Sequence, residues 1–481
     1  AAVPSSSLSE IQLELGDLLF ADERYGEAIS VYQRAKDGAE PEQLLRASAG
    51  LLKSLLLSAE FNLAYDEAVF LESLDIGELP ELRVLVADGF WAYGLFDEAD
   101  AVYDEVLTQA PSNARARHGL SRGLAALNRH EEALVEIQAA IVASPVDPVL
   151  HHTHGEILKG LRRYEAAAEA FERYLDVLPN IRETRQTAWV RSEVRFLRSF
   201  GGRVPFEMPR EGVVHTLPFR LVNDKIVVRG RVNGSDPVDL VVDSGAEQMV
   251  LSQELAESAG VLAITQTISA GVGEVGMRGL DFGRVDSLEI GSFKVRNIPT
   301  IIKNPPLALI GMPSPRVSDS LSPLAFGLSV VIDYRNSSLI LAEHLPDEVA
   351  DVELPMRVQR LAVVRGVVND KHPKSFVVDT GGEVISISMG TAAAIRMVPK
   401  RHIPLRVFGT SGWDQDAFLL PGVHLAFRDI KYDNLPAVVL NLHRPSVLMG
   451  FHIGGIIGYD FLRNYRVAMD LDRSVLRLTR N

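Results

Sequence analysis

Cysteine is absent from all 481 residues, which excludes disulfides, thiolate nucleophiles and cysteine-ligated zinc or iron–sulfur centres. The absence leaves the compartment open. No apolar run reaches the length of about 20 residues that a membrane-spanning helix needs, and the opening A-A-V-P-S-S-S has neither a basic n-region nor an apolar h-region. That opening reads either as a mature end left after signal cleavage or as an arbitrary boundary. A periplasmic or secreted location is the expectation, with the cytoplasm left open. Positive charge is also short: Lys+Arg 49 against Asp+Glu 63 gives a net charge of -14, which repels nucleic acid and anionic membranes at long range. What remains is an ordinary soluble composition, 47% hydrophobic and 23% charged, in a chain long enough for three or four domains.

Residues 1–180 read as helix after helix. Alanines recur with a period of 34 at Ala99, Ala133 and Ala167, followed at fixed offsets by Tyr103, Ile137 and Phe171 and then by Pro111, Pro145 and Pro179. The alanine lets two antiparallel helices approach, the bulky residue fills the seam, and the proline ends the second helix. This pattern resembles tetratricopeptide repeats. About five copies are expected, counting one around Leu15, Gly16, Ala28 and Tyr32 and a looser one around Ala68 and Pro80. The resemblance implies an α-solenoid whose concave face holds a protein partner or peptide. His151, His152 and His154 lie too poorly on one face for a metal site and read as packing or surface residues. Residues 181–205, with Arg182, Arg185, Arg191, Arg195 and Arg198, read as a solvated helical linker over the end of the solenoid.

After Pro205 the period changes to alternation. β-Branched runs separated by N-D and N-G turns predict strands. The stretch V-V-D-S-G-A-E at 241–247 returns as V-V-D-T-G-G-E at 377–383, and a shift of 136 aligns residues 227–252 with 363–388 without a gap, 13 of the 26 positions being identical. The hairpin at 288 resembles the one at 423, and V-I-D-Y-R-N-S-S-L-I-L at 331 matches A-M-D-L-D-R-S-V-L-R-L at 468. Two mostly β lobes follow, 206–345 and 350–481.

The paired D-[S/T]-G motifs, the I-I-G-Y-D-F-L stretch at 456–462 and the two strands ending in Asp resemble aspartic proteases, closer to the bacterial retropepsin-like branch than to pepsins. The resemblance covers residues 206–481. It implies a pseudo-twofold acid-protease fold and an endopeptidase acting on a protein or peptide substrate without metal or cofactor. Asp243 and Asp379 are then the catalytic dyad, one base and one acid, because two carboxylates so close share one proton. Ser244 and Thr380 reach across to the opposite loop, and Gly245 and Gly381 permit the tight turn and bring an N–H toward the carboxylate. Where pepsin-type enzymes usually add a further hydroxyl, this chain has Ala246 and Gly382, so the dyad titrates higher and the optimum is expected to be less acidic than pepsin's.

Glycine-rich segments at 270–279 and 408–414 are the flap candidates, with Gly271, Val272, Gly273, Gly409 and Trp413 over the substrate. The first contains G-x-G-x-x-G, but M-R-G-L-D-F-G after it is no helix, so a dinucleotide site is not expected. One departure stands out. Lobe 2 has I-I-G at 456–458, whereas D-S-L-S-P-L-A-F at 319–326 lacks the glycine and L-I-G at 309–311 is out of register. The Asp243 loop is therefore expected to be the less firmly braced. Glu247 and Glu383 stand where Asp or Ser is usual, paired or tuning the dyad. A binding scaffold without catalysis is the rival reading, and pairing of lobes between chains rather than within one stays open, as does the oligomeric state.

Overall fold

The computed structural model describes residues 5–74, 76–77, 79–178, 184–209, 212–269, 278–303, 319–396, 403–409 and 412–481. They form two compact units, one of Ala1–Gly123, Glu136–Pro145 and Met449–Ile453, the other of Leu124–Val135, Val146–Leu448 and Gly454–Asn481.

The first unit is helical. Its helices include Ser5–Ala21, Tyr25–Ala35, Pro41–Leu57, Phe61–Ser73, Pro80–Tyr93, Phe96–Gln109 and nearly all of Ala114–Ala126. Prolines stand at the first turn of Pro41–Leu57 and Pro80–Tyr93, where a missing N–H costs nothing, and Gly94 ends the latter in the left-handed region. The repeat pattern has a steric basis: a Cβ on Gly50 would collide with the Tyr32 ring, and one on Gly119 with the Tyr103 ring. Both tyrosines are buried, and each hydroxyl donates to a carboxylate, Asp17 and Asp88 respectively, at 2.6 Å. The segment Met449–Ile453, distant in sequence, packs in this unit with Phe451 edge-on to Phe96.

The second unit includes the helices Pro148–Gly160, Tyr164–Val177 and Arg185–Arg198, followed by strands. His151 is buried, and His152 lies among the rings of Phe171, Tyr174 and Trp189. Arg185–Arg198 is not the solvated connector its arginines suggest. Val190, Phe196 and Leu197 are buried, Phe196 stacks on Phe282 of the strand Arg278–Ile290 at 4.6 Å, and Arg284 donates to the Ser199 carbonyl at 3.1 Å. Arg198 meanwhile pairs with Glu165 and Glu172. An apolar stripe between the arginines, not their charge, decides where the helix goes.

The two β lobes repeat each other. Strand Lys225–Val232 corresponds to Leu361–Val368, Val238–Val242 to His372–Val378, and the short helix Gln253–Ser258 to Met389–Ala394 at the same offset as the aspartates. The Ser252 and Ser388 hydroxyls cap those helices, and Asn233 and Asn369 occupy left-handed turns at φ 50° and 48°. Across the middle runs one antiparallel group in the order His215–Pro218, Ser338–Ala342, Ser329–Asp333, Tyr465–Asp470, Val475–Arg480, Val352–Gln359. Its centre joins the lobes through Val330 opposite Met469, Val331 opposite Ala468 and Ile332 opposite Val467. A single hydrophobic core extends from Phe206 through both lobes to Leu478.

Candidate active site

Asp243 follows the strand Val238–Val242 and Asp379 follows His372–Val378. Each is seated by its own N–H, which donates to Leu321 O at 2.9 Å in lobe 1 and to Ile457 O at 3.0 Å in lobe 2. Both loops then turn toward the same point, and four reciprocal hydrogen bonds lock them. Ser244 N–H donates to Thr380 Oγ1 at 3.0 Å and Thr380 N–H to Ser244 Oγ at 3.0 Å. The hydroxyls donate onward, Ser244 to Val378 O at 2.7 Å and Thr380 to Val242 O at 2.8 Å. Each hydroxyl thus satisfies the lobe opposite its own. Both residues are only 1% exposed, so any unpaired group there would carry the full desolvation penalty.

This lock brings the Asp243 and Asp379 carboxyls together, each lying against the glycine of the opposite motif. The glycines make it sterically possible: a Cβ on Gly245 would overlap the Asp379 carboxylate, and one on Gly381 would sit 2.5 Å from Asp243 Oδ1. Gly381→Ala should therefore push the two carboxyls apart and lower any turnover that depends on their close approach by at least about a hundredfold, measured beside a circular dichroism check of folding. Near-wild-type turnover in a folded variant would show that the close approach is dispensable.

The donors are unequal. Asp243 Oδ1 accepts one main-chain N–H, from Gly245 at 3.0 Å. Asp379 Oδ1 accepts two, from Gly381 at 2.8 Å and Gly382 at 3.0 Å. Ala246 and Gly382 both donate to the main-chain carbonyl of their own aspartate, at 3.3 and 3.2 Å, and only Gly382 also reaches the carboxylate. Burial first, then the Asp379 charge and hydrogen bond, push the Asp243 carboxyl up to about 7 against the Gly245 amide and the Lys303 charge. Burial also raises Asp379, while Gly381, the hydrogen bond from Asp243, Gly382 and Lys225 hold it down. The extra main-chain donor favours the ionised form at Asp379 over Asp243, within a pair of carboxyls that titrates as one coupled unit.

The bracing differs between lobes for a chemical reason. In lobe 2, Gly458 lies against Gly382 and Glu383 too closely for a side chain, and the next two amides, Tyr459 and Asp460, donate to Gly382 O and Glu383 O, both at 2.9 Å. In lobe 1 the matching residue after Leu321 and Ser322 is Pro323, which opens a short 3₁₀ turn and has no N–H to give. The L-I-G at 309–311 lies outside the described residues, as do the flap candidates Gly271, Val272 and Gly273. Gly409 is paired with Gly412 in the two-stranded hairpin of Val407–Gly409 and Gly412–Asp414, where the Trp413 backbone stands opposite Phe408.

Two site residues are invisible to motif reading. Lys225 begins a lobe 1 strand and donates to the lobe 2 Gly381 carbonyl at 2.6 Å. Arg360 precedes the equivalent lobe 2 strand and places Nε 2.8 Å from Glu247 Oε2 in lobe 1. The only signal in the sequence is a cation beside a turn, which is common on any surface.

An aspartyl protease family model matches residues 228–314 and 364–461, and a tetratricopeptide repeat model matches residues 87–148. No curated protein sequence matches the chain. Among solved structures, an aspartic proteinase from Irpex lacteus is similar over 56% of this chain and 98% of its own, with 12% identity and a TM-score of 0.35. A tetratricopeptide repeat protein of the thermophile Thermus thermophilus is similar over 40% of this chain and 99% of its own, with 17% identity and a TM-score of 0.34. YrrB, a tetratricopeptide repeat protein described with an unusual peptide-binding site, is similar over 35% of this chain and 86% of its own, with 15% identity and a TM-score of 0.26.

Proposed function

Because two aspartyl protease segments stand behind a tetratricopeptide repeat region in one chain, we propose that it is an aspartic endopeptidase whose helical repeats recruit the protein it cleaves. The observation that carries this reading is the convergence of the Asp243 and Asp379 carboxyls, each against the glycine of the opposite motif, inside the Ser244/Thr380 lock. Ionised Asp379 takes a proton from water as its oxygen attacks the scissile carbonyl carbon, and Asp243 gives its proton to the carbonyl oxygen. The result is a neutral gem-diol. On collapse, the proton held by Asp379 goes to the leaving nitrogen as the carbon–nitrogen bond breaks, and a diol hydroxyl returns a proton to Asp243. Two carboxyls and one proton are restored. Apart from the peptide, water is the one reactant these steps consume.

The direct test is incubation of the full chain with unfolded proteins and a peptide library from about pH 3 to about pH 8, with fragments read by mass spectrometry. Internal cleavage that a statine-type transition-state mimic blocks is the expected result. No fragment above the enzyme-free control at any pH would overturn the reading.

The pH profile is a separate prediction. The dyad works with one proton, so activity falls as pH rises through the Asp243 value of about 7 and falls again as pH drops and Asp379 takes a proton. Burial raises that second carboxyl too, placing the maximum in the mildly acidic range. A maximum below about pH 3 would contradict both shifts.

A further inference from the structure

In lobe 2 the short helix Tyr459–Leu462 straps the Asp379 loop through its first two amides. Its counterpart in lobe 1 is the 3₁₀ turn Pro323–Phe326, one residue after the strand Ser320–Leu321 whose last carbonyl receives the Asp243 amide. Pro323 has no N–H for the loop. What holds this turn comes from outside the lobe.

The turn ends at Gly327 in the left-handed region, φ 63°, with the Gly327 N–H on Leu324 O at 2.9 Å. The last carbonyls of a helical turn have no donor within it. Arg162 supplies one: its Nη2 donates to Phe326 O and its Nη1 to Phe206 O at 3.4 Å, and the guanidinium lies 5.5 Å from the centre of the Phe206 ring. Phe206 and Phe293 meet Phe326 edge-on at 5.9 and 5.0 Å, and all three rings are buried. A carbonyl beside buried rings is costly to leave without a donor. The approach is close, since a Cβ on Gly327 would stand 2.8 Å from Arg162 Nη2.

Arg162 belongs to the helical repeats. It lies between Pro148–Gly160 and Tyr164–Val177 at φ 59°, and Gly94 and Asn128, two periods and one period earlier, take the same left-handed region at 92° and 59°. The repeat therefore dictates the backbone at this position and leaves the side chain free for another task. Two residues on, Tyr164 meets Phe200 edge-on at 4.8 Å, against the cluster of Phe196, Phe200 and Phe282 that joins the helix Arg185–Arg198 to lobe 1. Apolar packing seats the turn beside lobe 1, and the arginine reaches out from it.

We propose that Arg162 is a positioning residue for Asp243. By clamping the far end of Pro323–Phe326 it fixes Leu321 O, on which the Asp243 amide hangs, so that the helix pair Pro148–Gly160 and Tyr164–Val177 braces lobe 1 where lobe 2 uses its own amides. The kinetic consequence rests on the endopeptidase reading. The mechanical one stands on the hydrogen bonds.

The test uses full-length variants and two readouts. Arg162→Gln should lower kcat by about threefold to thirtyfold with KM changed less than about twofold, the pattern of a misplaced reacting group with substrate binding intact. Arg162→Lys keeps a charged donor and should recover part of the loss. Hydrogen exchange supplies the readout independent of activity: in Arg162→Gln the amides of residues 243–246 should exchange at least about fivefold faster, while those of 379–382 change by less than about twofold. The neighbouring Arg163 pairs instead with Glu131 at 2.6 Å, so Arg163→Gln removes the same charge from the same turn and should leave both readouts at the wild-type level. Wild-type kcat or wild-type exchange in Arg162→Gln would overturn the brace. Equal loosening of both loops would overturn it as well, because that marks a general loss of stability, and so would Arg163→Gln reproducing the Arg162→Gln pattern. If the wild type cleaves nothing, the endopeptidase reading fails and the exchange comparison still decides the brace. If Arg162→Gln does not fold, Arg162→Met, which keeps the stem without the donors, decides it on the same exchange criterion.

Discussion

Asp379→Asn should lower kcat/KM on a cleaved peptide by at least about a thousandfold, and Asp243→Asn by a comparable factor, with the fold retained in both. The amide is nearly the shape of the acid, so the Ser244/Thr380 lock and the Gly245 and Gly381 approaches have no reason to open. What each variant loses is different. Asparagine at 379 cannot take the proton of water, and asparagine at 243 has no acidic proton for the carbonyl oxygen. Because the two groups act as one unit, the double variant should be no slower than either single one. Turnover by either single variant at the wild-type rate would favour the scaffold reading, in which the lobes bind and do not cut.

Asp243→Asn should also make the protein more stable above about pH 7. The sign follows from linkage. The Asp243 carboxyl rises from 3.8 to about 7 on folding, so the folded state holds the proton more tightly than the unfolded chain. That contribution is fully present below the unfolded value and is lost as pH rises through the folded one. The neutral amide never ionises and escapes the loss. Unfolding of wild type and variant, followed by circular dichroism from about pH 4 to about pH 8.5, should give curves that separate with rising pH, the variant uppermost. Parallel curves would mean that no proton is trapped at Asp243.

Much of this is legible in the sequence because it is local or repeated. The 34-residue spacing of Ala99, Ala133 and Ala167 reports helix approach, and all three are fully buried. Several identities between the lobes turn out to serve the backbone rather than the reaction: Ser252 and Ser388 cap helices, and Asn233 and Asn369 hold left-handed turns. Glycine, aspartate and hydroxyl within each motif follow from the turn and lock they must make. The long-range charges are not legible. Arg360 has no cationic counterpart under the 136-residue shift, since that position is Asp224. Arg162 looks like an ordinary solvent-facing charge until its turn meets lobe 1. Five arginines between 182 and 198 suggest a solvated linker and mask the apolar stripe that docks Arg185–Arg198. The missing I-I-G glycine is visible, but the proline that follows it, lacking the amide that Tyr459 gives, matters only once Leu321 stands in the place of Ile457.

The pairing of Ser329–Asp333 with Tyr465–Asp470 at the centre of the antiparallel group has a consequence for how the proposed activity responds to dilution. Where a dyad is assembled from two separate chains, it falls apart as concentration drops below the dissociation constant. Here each half of the dyad is delivered by a lobe whose main chain is hydrogen-bonded to the other and covalently continuous with it. The effective concentration of one lobe for the other is fixed by the chain and does not depend on how many molecules are present. Specific activity should accordingly stay constant from micromolar to picomolar enzyme.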